Sequence, residues 1–343
     1  IILNGGIWGA ASCESKEWDL TDHLESNPIN AQWSQDNQVF PADYLKGLHG
    51  STESPLLARV QTYNVYAKAF RRYKKRNLQS AARMISAFAK ANPDLFVAVA
   101  LDADTYMNPF FAGREIMDYN PGMIRQFREW LQGSGPYAGH PTDGAPDLRA
   151  YRRASTFTVP QIAKIARRNW TRWDEVDPPR KFPGSYVTPE IPEGSMRVWA
   201  DPWWHLWDEF RKHIVDLHYD ELSTWIREAG IPKSRIFSAQ GFIRPDPGNA
   251  PFAMHVSSRR QNYDSSGVSV EGSIPRDGHL GVIIYGEAAR NDVPMEDGHS
   301  MFATFARMDP GWGVVEFNSA DLKNPLILPT YAQAYGSFRD IFN

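Results

Sequence analysis

Four carboxylates follow, or sit inside, short apolar runs of the kind that form buried strands. Asp104 comes after Leu95 to Leu101 in DLFVAVALDADTYMNP, and Glu271 after Val268 to Val270 in VSVEG. Glu287 follows the run VIIYG, and Glu316 lies within GVVEFN with Asn318 just beyond. Two such acids meeting in one cleft can cut a glycosidic bond. One carboxylic acid protonates the leaving oxygen, and the second attacks the anomeric carbon or activates water. Asp104 reads as the general acid/base, flanked by Tyr106 and Asn108; the plainer reading is a helix-capping or turn Asp. Glu287, placed straight after an apolar run and a Gly, reads as the nucleophile, because a carboxylate is seldom set there without a use or a partner. Glu271 is a substrate ligand, an alternative nucleophile, or the partner of Arg259 or Arg276. Glu316 alternates with Val314, Val315 and Phe317, so it is either a substrate ligand or a structural ion-pair partner inside the fold.

Aromatic residues make up 13% of the 343-residue chain, with 12 Trp and 14 Tyr, and many fall in segments that read as loops. A pyranose C–H face packs on an aromatic ring while its hydroxyls stay free for hydrogen bonds. Trp8, Trp33, Tyr106 and Trp312 are the candidates for that stacking. Asn37, Gln38, Asn108 and Asn318 are the candidates for binding hydroxyls; packing alone is the competing explanation for any single Trp.

Other chemistries lack their motifs. No HExxH pair, EF-hand loop, GxSxG elbow or phosphate-binding Gly-rich loop is present, so no metal and no cofactor is expected. Cys13 is alone and forms no intrachain disulfide. The formal net charge is −3, with Lys and Arg spread out apart from a cluster at Arg71 to Arg76, which disfavours nucleic acid as a partner. There is no run of about 18 apolar residues to span a membrane. The expected partner is therefore a carbohydrate substrate, with a homo-oligomer left open and a secreted or periplasmic location favoured.

The elements needed to position these groups are legible as alternating strand and helix patterns, the signature of β–loop–α units on a parallel sheet. Strand-like runs are Ile1 to Trp8, Leu95 to Leu101, Arg235 to Ala239, Val268 to Val270, Leu280 to Tyr285 and Trp312 to Phe317. Between them, helical periodicity runs from Tyr66 to Phe88 with Arg71, Lys74, Lys75 and Arg83 on the solvated face. It recurs over 120–131, Val159 to Arg168, Leu206 to Gly230 and His299 to Met308. This predicts an α/β fold, a (β/α)8 TIM barrel in one catalytic domain over 1–343, with a loop excursion over the mouth at about 133–203. About six strands are countable, so the first two of a full barrel are expected upstream of residue 1.

The order of parts resembles the family 42 glycoside hydrolases, the barrel β-galactosidases of the large retaining clan. A strand and a Trp/Asn-rich loop, QWSQDNQVFP, precede a long helix. A strand ending in LDAD occupies the place of that family's acid/base motif; a FREWL helix, a tract ending NWTRWDEVDPPR and a late strand ending in Glu follow. The resemblance implies a retaining β-glycosidase, with Asp104 in the acid/base place and Glu287 in the nucleophile place on the seventh strand. An Asp stands where the family has Glu, and Ala103 where it has Asn. The DNQ triplet, Asp36 to Gln38, is similar to the Asn-Glu pair before the acid/base of many barrel glycosidases; an amide cannot deliver a proton, so Gln38 reads as a sugar ligand. The rivals are a carbohydrate-binding barrel without catalysis, and a lyase or transglycosidase on the same fold.

Overall fold

A computed structural model describes residues 1–3, 32–38, 68–103, 118–133, 156–180, 201–241, 274–285 and 301–318. In chain order these form β1 (Ile2–Leu3), α1 (Lys68–Ala91), β2 (Val99–Ala103), α2 (Pro121–Leu131) and α3 (Val159–Ala166). They are followed by α4 (Pro202–Glu228), β3 (Ile236–Gly241), β4 (Gly281–Tyr285), α5 (Met301–Met308) and β5 (Gly313–Asn318). The strands make one five-stranded sheet in the order β1-β2-β3-β4-β5, and every pairing is parallel. A doubly wound sheet reverses its strand order at a switch point, whereas the wall of an α/β barrel adds each strand beside the last. The order here is of the second kind. Val268 to Val270 lies outside the described residues, and β3 pairs directly with β4 through Gln240–Val282 and Gly241–Ile283. The strands leading to Asp104 and Glu287 are thus two places apart in the sheet, not the three that counting Val268–Val270 as a strand would give.

Helix entries follow their sequence signals. Asn120 caps α2 by accepting from the Gly122 amide at 2.8 Å, with Pro121 at the first helical position. Asp201 caps α4 through the amides of Trp203 and Trp204 at 2.9 and 3.3 Å. The core between helices and sheet is aromatic: Phe127 lies 5.0 to 6.2 Å, ring centre to ring centre, from Trp130, Trp203, Trp207 and Phe210. Leu3, Val99, Leu101 and Ile236 complete it from the sheet. On the other face of the sheet, among the described residues, Ala100 and Ala239 meet Val315.

Two expectations fail here for physical reasons. α1 buries Lys74, Leu78, Ala82 and Ser86, spaced by four, while Phe88 is 52% exposed. Small side chains on that stripe let α1 approach the end of α4, where Ser86 Oγ donates to the Gly230 carbonyl at 3.0 Å. A hydrophobicity pattern does not register Ala and Ser, so it chose the neighbouring stripe and put Lys74 in solvent. The run before β2 is also not buried on both sides: Leu95 and Phe96 are 53% and 71% exposed, and the Arg235 guanidinium sits 3.8 Å over the Phe96 ring.

The edge where the strands begin is stitched by acidic side chains. Asp309 accepts from the Leu280 amide at 2.6 Å and the Gly311 amide at 2.9 Å, and pairs with His279 Nδ1 at 3.0 Å. Asp277 takes Thr224 Oγ1 and Arg227, and Asp220 takes the Arg276 amide at 2.7 Å. These last contacts tie the lower half of α4 to the loop entering β4. Above that level about 30 Å of helix rises, at 1.5 Å per residue, against strands of about 20 Å. The first turns of α4, with Trp203, Trp204 and Trp207, therefore lie toward the edge where the strands end.

Candidate functional site

Because all five strands are parallel, their last residues share one edge. β2 ends at Ala103, immediately before Asp104; β4 ends at Tyr285, two residues before Glu287; β5 ends at Asn318, paired with Tyr285. Asp104, Glu287, Trp8, Tyr106, Asn108 and Glu271 themselves lie outside the described residues.

The site residue that can be described on β5 is Glu316. Gly313 pairs with Gly281 and Val314 with Val282, but Ile283 pairs with Glu316, so the register slips by one residue at Val315. Without that bulge, Glu316 would share the face of Val314. With it, Glu316 takes the face of Gly281 and Gly313, which is the face of Ala239 and Ala100 and not the helix-packed one. Bulges of this kind re-aim side chains at barrel rims. A Glu is thereby set on the face away from the helices near the strand ends, half-buried, and burial pushes its carboxyl above the usual carboxylate range. β2 carries a matching slip: Leu101 pairs with Ser238 and Ala103 with Ala239, so Asp102 is the extra residue, two positions before Asp104.

A second group of residues lies toward the same edge, beside the first turns of α4. The 34–38 turn is closed by Ser34 N donating to Gln38 O at 2.8 Å and Asn37 N to Ser34 O at 3.0 Å, with Asn37 in the left-handed region at φ 60°. Asn tolerates that conformation better than other non-glycine residues. Asp118, fully buried, takes the amides of Trp33 and Asn120 at 2.9 and 2.8 Å, while the Tyr119 amide donates to the Trp33 carbonyl at 2.8 Å. Arg180 reaches back to the turn, donating to Gln35 O at 2.7 Å and to Asn37 Oδ1 at 2.8 Å. Its other two nitrogens grip the Asp177 carboxylate at 2.5 and 2.9 Å. That pairing holds the guanidinium firmly protonated. Its plane lies 5.0 Å over Tyr119, whose hydroxyl donates to Pro179 O and whose ring meets Trp207 at 5.3 Å. Burial raises the Tyr119 hydroxyl far above its ordinary range.

The sequence candidates sort unevenly. Glu316, Asn318, Asn37 and Gln38 are on the strand-end side; Asp36, Asn37 and Gln38 are exposed there. Trp33 is partly buried against the core, with both backbone groups engaged, which makes it a scaffold residue more than a stacking platform. Trp312 is misplaced. It precedes β5, so a parallel strand puts it at the opposite edge, where it packs on Phe305 at 5.4 Å and lines a cavity of about 600 Å³ with Phe96, Phe237 and His279. Arg180, Asp177 and Tyr119 were not singled out. The only signal for them was the Asp-Pro-Pro-Arg spacing in DEVDPPR, which is silent about the turn some 140 residues earlier. Among the described residues no three His, Cys, Asp or Glu side chains gather as a metal site would require.

No family model matches the chain, and no curated protein matches its sequence. Among solved structures, it is similar to the catalytic domain of a beta-amylase from Paenibacillus polymyxa. The TM-score is 0.51 at 11% identity, over 99% of this chain and 71% of that one. At that identity the likeness concerns the fold alone, and together with the sequential parallel strand order it supports an α/β barrel. No family model supports the resemblance to family 42.

Proposed function

We propose that the chain is a glycoside hydrolase that cleaves a β-glycosidic bond in an oligo- or polysaccharide with two carboxylates at the strand-end edge. The observation that carries this reading is the convergence of β2, β4 and β5 on one edge: two of these strands run directly toward an acidic residue, and the third holds Glu316 near its end. The beta-amylase likeness is a fold-level support for carbohydrate chemistry.

In the proposed reaction Glu287 attacks the anomeric carbon as the glycosidic oxygen leaves with the Asp104 proton. Water then attacks the same carbon, giving its proton to the Asp104 carboxylate and releasing Glu287. Strands two places apart set the two backbones about 10 Å from each other, at about 4.8 Å per strand. Side chains from that span can close to the 5–5.5 Å of a retaining pair. Glu316, on the face away from the helices, hydrogen-bonds a sugar hydroxyl. Asn318 and the amides of Asn37 and Gln38 serve other hydroxyls.

The test is hydrolysis of nitrophenyl glycosides and polysaccharides by the wild type, Glu287→Gln and Asp104→Asn, with the product anomer read by NMR. Asp104→Asn is expected to slow turnover by about 10²–10⁴-fold, the span typical of general acid–base groups. Glu287→Gln is expected to abolish turnover. Azide should restore only the variant lacking the acid/base, and the first product should keep the substrate's configuration. An inverted product would replace the nucleophile by an activated water. Sugar binding without turnover on any substrate would instead identify a carbohydrate-binding barrel.

A further inference from the structure

We infer that Arg180 is the positioning residue of a distal sugar subsite formed by the 34–38 turn, an inference that rests on the glycosidase reading of this edge. A single guanidinium joins three segments: its fork is closed on Asp177, its remaining nitrogen bonds Gln35 O and Asn37 Oδ1, and its face stacks on Tyr119. Tyr119 is in turn buried against Trp207 in the N-terminal half of α4, so the clip is referenced to the core and not to another loop. This is a task for Arg rather than Lys, because only a planar fork satisfies a carboxylate bidentately while keeping another donor free for a second direction.

What the clip presents is set by its chemistry. The atom of Asn37 that accepts from Arg180 must be the oxygen, so the amide cannot flip, and Nδ2 is left with its two hydrogens for an outside acceptor. Beside it, Asp36 is an exposed acceptor and Gln38 an exposed amide. The backbone of the turn is engaged within the turn itself: Ser34 Oγ takes the amides of Asp36 and Gln38 at 3.3 Å each, and Gln38 O takes the Ser34 amide at 2.8 Å. A fixed N–H pair next to a carboxylate and a second amide suits adjacent sugar hydroxyls, each of which donates once and accepts once or twice. Tyr119, at the entry of α2, packs on Trp207 in the first half of α4, which sets the turn on the strand-end side, and the turn takes a sugar unit other than the one that reacts.

The test compares Arg180→Ala, Arg180→Lys and Asp177→Asn with the wild type on a long oligosaccharide and on the aryl glycoside of a single sugar. A subsite held by Arg180 predicts that Arg180→Ala raises KM for the oligosaccharide, with its kcat/KM falling about tenfold further than that for the aryl glycoside. One lost hydrogen bond of about 1.4 kcal/mol corresponds to that factor. Lys restores charge without the fork and should recover only a minor part. Equal losses on both substrates would reduce Arg180 to a general stability role and overturn the inference. If no glycoside is turned over at all, the clip is judged by limited proteolysis at 32–38. Accelerated cleavage in Arg180→Ala, with circular dichroism unchanged, keeps Arg180 as the residue that holds the turn and sinks only the glycosidase reading. Unchanged cleavage sinks the positioning role itself. Asp177→Asn, which keeps Arg180 in place, guards against a folding failure of the alanine variant.

Discussion

The two edges of the same parallel sheet use acidic side chains in opposite ways. Where the strands begin, Asp309, Asp277 and Asp220 are each committed to backbone amides, hydroxyls or cations of neighbouring segments. Where they end, the β5 bulge sets Glu316 on the face opposite the helices, and burial lifts its carboxyl away from the ionised form. One edge uses carboxylates as fasteners; the other sets one on the face away from the helices, near the strand ends. Barrels divide labour along the strand axis in this manner, with stability at the start of the strands and chemistry at their ends.

The comparison breaks most visibly if the fastened edge is not stabilising. Asp309→Ala leaves the Leu280 and Gly311 amides and His279 without their acceptor in a nearly buried place. It should therefore cost about 2–6 kcal/mol by urea denaturation, at about 1–3 kcal/mol for each of the two orphaned amides, the partly exposed His279 turning to water. A loss below about 1 kcal/mol would mean the contacts are ornamental. Gly281→Ala probes the face away from the helices next. Its new methyl would meet the Ser238 carbonyl and the Val315 side chain, the residue that makes the bulge, and overpacking of that kind costs about 1–3 kcal/mol. If activity against glycosides falls further in this variant than in others of equal stability, the bulge is tied to the site.

The smallest effect is the pH dependence of Glu316. A folded-state pKa above the unfolded value stabilises the protein fully below the unfolded pKa of about 4.3, and that contribution is lost as pH rises through the folded pKa. Glu316→Gln removes the loss. Its melting temperature should match the wild type near pH 4 and exceed it slightly at pH 8. The same variant mimics the protonated acid, so it should bind sugar better than Glu316→Ala; equal binding by the two would remove the hydrogen-bond role.

Much of the scaffold was readable because it is periodic and capped. The Asn-Pro entry of α2, the VIIY run of β4 and the amphipathic α5 all lie within two residues of where the pattern put them. What was not readable depends on pairing. Whether Glu316 faces the helices or the opposite side is decided by a one-residue slip at Val315, which leaves no trace in composition. Lys74 and Trp312 were misjudged for a related reason: burial follows what packs against a residue, and the start and end of a strand look alike until its direction is known. Arg180 finds Gln35 across 145 residues, a contact that no local pattern encodes.

The pairings also prescribe an order of assembly. Val282 meets Val314 across a short α5 unit, while Ala100 must find Phe237 across a separation roughly four times longer. Each doubling of a closing loop costs about 0.6 kcal/mol of chain entropy, so the β2–β3 closure carries about 1.2 kcal/mol more than the β4–β5 one. The C-terminal pair is expected to zip first and offer a template edge. β2 is expected to join that edge later, and with it the part of the core that Val99 and Leu101 contribute.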